Sequence, residues 1–84
     1  MAYAVEVARK VQKQASRLPV DVQSRVDVAI RGLGQDPRPP GCRRLSGQDE
    51  WRIRVGDYRI VYEIRDDSER VLVLEVWHHQ RGYR

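Results

Sequence analysis

Arginine stands at positions 52, 54 and 59, in an alternating stretch interrupted by Gly56-Asp57. A guanidinium carries forked donors that match two phosphate oxygens, and it can offset charge building on a phosphorane-like transition state. The C-terminus runs Trp77-His78-His79-Gln80-Arg81-Gly82-Tyr83-Arg84. An imidazole is the side chain best suited to move a proton near neutral pH. The ring of Trp77 can stack an unpaired base at the edge of a basic groove. Phosphate grip, proton carrier and stacking ring are the parts that RNA cleavage directed by a ribose 2′-hydroxyl needs. No metal or other cofactor is implied, since two adjacent histidines and one distant cysteine do not make a ligand set.

Those residues have to be brought together by extended segments. Gly56-Asp57 between two alternating apolar runs reads as a two-residue hairpin turn spanning 50–65. Pairing Val55 with Tyr58 sets Arg54 opposite Arg59, with Arg52 two residues along on the same face. The other face then carries Trp51, Ile53, Val55, Tyr58, Ile60 and Tyr62. Two guanidinium groups about 5 Å apart repel by roughly 3 kcal/mol at an effective dielectric near 20, and by less than about 1 kcal/mol in full solvent. A bound polyanion relieves that repulsion, and phosphate is the obvious one. The last strand, 71–77, has apolar residues on both faces, so its register turns on the loop before it. A four-residue loop sets Glu75 on the core face beside Ile60. A five-residue loop that includes Arg70 pairs Leu74 with Tyr62 and Val76 with Ile60, and is preferred because it gives a coherent apolar layer. Trp77 then lies beside Arg59, Glu75 lies in line with Arg52, and His79 points to the arginine side.

The N-terminal half reads as support for this sheet. Residues 2–7 alternate as a first strand. From Ala8 the period becomes helical, with Val11, Ala15 and Leu18 on one side and Arg9, Lys10, Lys13 and Arg17 on the outer arc. Pro19 ends that helix and opens the next, with Asp21 in its first turn. Val22, Val26, Ala29, Ile30 and Leu33 form its apolar stripe, and Gly32 and Gly34 mark its end. Asp36-Pro37-Arg38-Pro39-Pro40-Gly41 is a stiff loop returning to the sheet. The fold class is α+β: an N-terminal strand and a helical hairpin on one face of a small, mainly antiparallel sheet, in the order β-α-α-β-β-β.

At 84 residues the chain is expected to be a single domain, 1–84, with one small core. A net charge of +4 suits a nucleic acid or an acidic protein partner. The lone Cys42 favours a reducing cytoplasm and reads as a packing residue. No apolar run approaches the length of a membrane span, and no signal-peptide core is present, so a cytoplasmic location without membrane contact is expected.

The residues Arg52-Ile-Arg54, Gly56-Asp57-Tyr58-Arg59-Ile-Val-Tyr62 and Tyr83-Arg84, with Leu18-Pro19 and Asp36-Pro37-Arg38 in support, resemble the RelE/ParE toxin superfamily, closest to its RelE branch. The resemblance covers essentially the whole chain. It implies the toxin of a type II toxin–antitoxin system, an endoribonuclease that enters the ribosomal A site and cuts mRNA. It also implies a cognate antitoxin from the same operon, through which alone operator DNA is bound. By position, Arg52 and Arg54 contact phosphate, Arg59 stabilises the transition state, His79 is the general acid, and Tyr83 stacks on or orients the scissile nucleotides. Arg81 and Trp77 complete the RNA-binding set. The first two positions are often lysine in such toxins. A guanidinium keeps its proton near neutral pH, which moves proton transfer to a histidine, His78 or His79. Two alternatives stand beside this one: a ParE-like inhibitor of DNA gyrase without nuclease chemistry, and an inactive relative that only binds antitoxin. Each residue also has a plainer role open to it: a solvated arginine face, a packed indole, or a surface histidine pair.

Overall fold

The computed structural model describes residues 2–45 and 49–78. In chain order these form β1 (Ala4–Val7), α1 (Arg9–Ser16), α2 (Val20–Gln35), β2 (Arg43–Arg44), β3 (Glu50–Val55), β4 (Tyr58–Arg65) and β5 (Arg70–His78). The strands make one sheet ordered β1-β5-β4-β3-β2. Strand β1 runs parallel to β5, and the other neighbours are antiparallel. This is the expected α+β architecture. The first strand starts two residues later than expected, and the two-residue β2 was not foreseen in the stretch after the prolines.

The helical hairpin is stitched at Pro19. The carbonyl of Pro19 accepts the Gln23 N–H (2.9 Å) to start α2, and Asp21 sits in the first turn. Gln23 Nε2 reaches back to the carbonyls of Leu18 (2.8 Å) and Ser16 (3.3 Å), which α1 leaves without helical partners. Helix α2 runs through both glycines that were expected to end it. Gly32 faces open space, whereas a Cβ at Gly34 would lie 3.0 Å from the Tyr3 carbonyl oxygen. Gly34 therefore lets the helix close on β1, and the Tyr3 N–H bonds its carbonyl at 2.7 Å.

Val11 of α1 and Val26 and Leu33 of α2 pack on Ile53, Ile60, Tyr62, Ile64, Val71, Val73 and Val76. Val71 and Val73 have odd numbers and Val76 an even one, so β5 changes parity between them. The cause is a β-bulge. Arg65 pairs with Arg70 across a four-residue turn, Tyr62 pairs with Val73, and Val61 pairs with Glu75, leaving Leu74 as the extra residue. The preferred five-residue loop, with Leu74 opposite Tyr62, is thus overturned. Its downstream consequences stand, because the bulge supplies the missing residue: Ile60 pairs with Val76 and Arg59 with Trp77.

Candidate nucleic-acid interface

The turn between β3 and β4 sets the arginines against each other. Gly56 has φ +58°, a left-handed conformation that side chains disfavour, and the Arg25 guanidinium of α2 lies where a Cβ would meet it at 3.3 Å. The register beyond the turn is the one read from sequence: Val55 opposite Tyr58, Arg54 opposite Arg59, Arg52 opposite Val61. On the face away from the helices, one row across the sheet therefore reads Arg54–Arg59–Trp77. The row two residues below reads Arg43–Arg52–Val61–Glu75. Arg43 was not among the candidates. It belongs to β2, and a two-residue strand behind a proline-rich loop carries no period that sequence could reveal.

Loop 36–41 places Arg43. The Tyr62 hydroxyl donates to the Pro37 carbonyl at 2.7 Å. Burial, with Cys42 nearby as the second cause, pushes the phenol well above its usual range. Arg38 donates twice to the Asp66 carboxylate (2.9 and 3.3 Å), and its guanidinium lies 5.0 Å from the centre of the Trp51 ring. Tyr3 donates to the same carboxylate at 2.6 Å. Those two bonds hold Asp66 below the usual carboxylate range and raise Arg38 and Tyr3. Gly41, with φ +90°, then turns the chain into β2.

Helix α1 secures the far side of the face. Strand β1 pairs with β5 only as far as Val73. Past that point the Gln14 side chain takes the place of a neighbouring strand, its Oε1 accepting the Val76 N–H at 3.0 Å. Lys10 meets Glu75 at 3.2 Å. The carboxylate aligned with Arg52 is thus engaged from the helix side, with the buried Val61 between the two.

The lower border of the face is acidic. Glu50 pairs with Glu63 directly below Arg52 and Val61. A third cross-strand arginine pair, Arg65 and Arg70, lies lower still. Those two hold Glu63 (2.7 Å) and Glu6 (2.6 Å). A concavity of about 740 Å³ at this end mixes Arg38, Arg44 and Arg65 with Asp49, Glu63 and Asp66, so it does not gather charge of one sign.

Of the expected site residues, Arg52, Arg54, Arg59 and Trp77 come together. His78 does not join them: it pairs with Tyr58 on the helix-facing side, edge to face at 5.1 Å between ring centres. His79, Arg81 and Tyr83 lie outside the described residues. Residues 3–83 match the family described as the ParE toxin of type II toxin–antitoxin systems, parDE. The chain belongs to this toxin family. No curated protein matches the toxin. Its fold is that of RelE toxins. It is 26% identical to a chain of the archaeal RelE–RelB complex from Pyrococcus horikoshii, with a TM-score of 0.85 over 98% of the toxin and 100% of that chain. A chain of the RelBE2 toxin–antitoxin complex from Mycobacterium tuberculosis is 25% identical, with a TM-score of 0.79 and coverage of 93% and 92%. The YoeB/ParE toxin from Agrobacterium tumefaciens shares the fold at 18% identity, with a TM-score of 0.76 and coverage of 90% and 98%. The RelE/ParE resemblance read from the sequence is thereby established. Among the described residues, no helix is long and apolar enough to cross a membrane.

Proposed function

We propose that this toxin is a ribosome-dependent mRNA endoribonuclease of the cytoplasm, kept silent by a cognate antitoxin encoded beside it. The observation that carries the reading is the Arg54–Arg59–Trp77 row. It sets two guanidinium groups and one indole on the sheet face away from the helices, with Arg54 exposed and Arg59 and Trp77 half-buried beside it. In the ribosomal A site, the ribose 2′-hydroxyl gives its proton to water as its oxygen attacks the adjacent phosphorus, the bond to the 5′-oxygen breaks, and a 2′,3′-cyclic phosphate remains. Arg54 holds that phosphate, Arg52 contacts the backbone beside it, and Arg59 bears on the charge that grows on the phosphate oxygens. His79 gives the departing 5′-oxygen its proton, with Tyr83 and Arg81 ordering the nucleotides. The RelE–RelB and RelBE2 complexes support an antitoxin partner here, and an acidic segment suits the toxin's net charge of +4.

A second reading has one observation in its favour: the matching family carries the ParE name. On that reading the toxin inhibits DNA gyrase without nuclease chemistry. Primer extension on ribosome-associated mRNA after induction separates the two. Cuts inside codons support the endoribonuclease, while double-strand DNA breaks without mRNA cuts replace it with the gyrase reading. Neither lesion, with antitoxin binding intact, leaves an inactive antitoxin-binding relative.

A further inference from the structure

The arginine face holds two basic rows, not one. Arg43 pairs directly with Arg52, as Arg54 does with Arg59. Paired residues in an antiparallel ladder project to the same side, about 5 Å apart at Cβ. The midpoints of the two pairs are offset by two residues along β3, about 6.7 Å, and by one strand spacing, about 4.8 Å, which puts them about 8 Å apart. Long guanidinium side chains leaning toward each other bring that separation within reach of successive phosphates along an extended single strand. Arg43 is exposed, and its position is fixed from below by the Tyr62–Pro37 and Arg38–Asp66 contacts that deliver the loop to β2.

The pattern also has an end. The next row down is the Glu50–Glu63 pair, which presents carboxylates where a phosphate needs donors. Of the arginine pair below it, Arg65 bonds this same Glu63 at 2.7 Å and Arg70 bonds Glu6 at 2.6 Å, so both cations are engaged by carboxylates. Above the upper row the hairpin turns at Gly56-Asp57. Among the described residues, the basic surface on this face therefore spans two rows and stops.

We infer that Arg43 and Arg52 form a second phosphate subsite, so that the toxin grips two consecutive phosphates of a single strand, and the acidic row limits the footprint to two. This rests on the reading of the face as an RNA site. One phosphate lies between Arg54 and Arg59 with its base directed toward Trp77. The neighbouring phosphate lies between Arg43 and Arg52, so the strand crosses the sheet obliquely from β5 toward β2.

The test uses the full toxin and 2′-O-methyl oligoadenylates of two, three and four nucleotides, which contain one, two and three phosphodiesters and cannot be cut. Affinities are read by amide NMR titration at low salt. The toxin is expected to bind the trinucleotide about tenfold more tightly than the dinucleotide, the size of one charge-assisted contact. The tetranucleotide should add little. In Arg43→Gln, with an unchanged thermal midpoint, the tenfold gain should vanish while dinucleotide affinity stays. The salt slope for the trinucleotide should fall by about 0.7, as one phosphate contact is lost. A gain that survives Arg43→Gln, or a third phosphate that adds as much as the second, overturns the two-phosphate footprint. In that case Arg59→Gln weakening every oligonucleotide leaves the RNA reading standing. Failure of the toxin to bind any of them, with Arg59→Gln indistinguishable, overturns the subsite, while cuts inside codons by primer extension keep the RNA reading standing.

Discussion

An arginine set opposite another arginine is a standing repulsion that folding tolerates, and Arg59 faces Arg54 across β3 and β4 in this way. Truncating Arg59, on the face away from the helices, should leave the protein folded, as a cooperative thermal transition would show. On the endoribonuclease reading it should abolish growth arrest on induction, because losing one donor to transition-state charge slows a reaction by about 10²–10³-fold. A folded, fully toxic Arg59→Ala would sink the assignment. Asp66 gives a pH prediction with a definite sign. Its carboxyl is depressed chiefly by Arg38 and then by Tyr3. A depressed acid contributes stability above its ordinary value near 3.8 and loses it as pH falls through the lower folded value. Below about pH 4 the parent's melting temperature should therefore drop more steeply than that of Asp66→Asn. At this scale much of the arginine face was legible, because Gly56-Asp57 fixes the hairpin register and alternation does the rest. Arg43 was not legible, since its row depends on Arg38, Asp66, Tyr3 and Tyr62, side chains far apart in sequence. The side of the sheet occupied by His78 follows from the register that the β5 bulge sets.

The bulge shows why elements are easier to find than their pairing. Val71, Leu72, Val73, Leu74 and Val76 are apolar on both parities, so alternation alone cannot choose between a longer loop and an extra residue inside the strand. The preferred loop solved the parity problem in the wrong place. The ladder keeps the short turn and takes up the extra residue at Leu74, where β1 has ended and Gln14 reaches the Val76 N–H. The two glycines of α2 yield a paired prediction. A Cβ at Gly32 would meet nothing within 4 Å, so Gly32→Ala should raise stability by about 0.8–1 kcal/mol through helix propensity. Gly34→Ala carries the same propensity gain but drives a Cβ to 3.0 Å from the Tyr3 carbonyl oxygen and 3.1 Å from Val5 Cγ2. Overpacking of that kind costs about 1–3 kcal/mol, so the net effect should be a loss. Urea denaturation of the two variants checks the contrast, and equal shifts would show that the β1 contact is not tight.

At the scale of the molecule, the sheet separates two jobs. Its helix-facing side is filled by the hydrophobic core, while the opposite side presents four arginines in two rows above an acidic border. A shared fold does not settle which chemistry such a surface performs, but its charge makes a measurable statement about any acidic partner. The field of a net +4 chain, concentrated on one face, steers an oppositely charged antitoxin during approach. Steering acts on encounter and is screened by salt, whereas apolar contacts formed after docking are not. Association of the toxin with the product of the neighbouring reading frame should therefore slow at least tenfold between about 50 and 500 mM salt, with dissociation changing far less. Arg43→Gln and Arg54→Gln together should flatten that dependence if the antitoxin is drawn to the arginine face. Stopped-flow association at several salt concentrations reads both effects. A salt-independent rate would mean that the antitoxin is captured through the helical hairpin, with the arginine face left open to RNA in the complex.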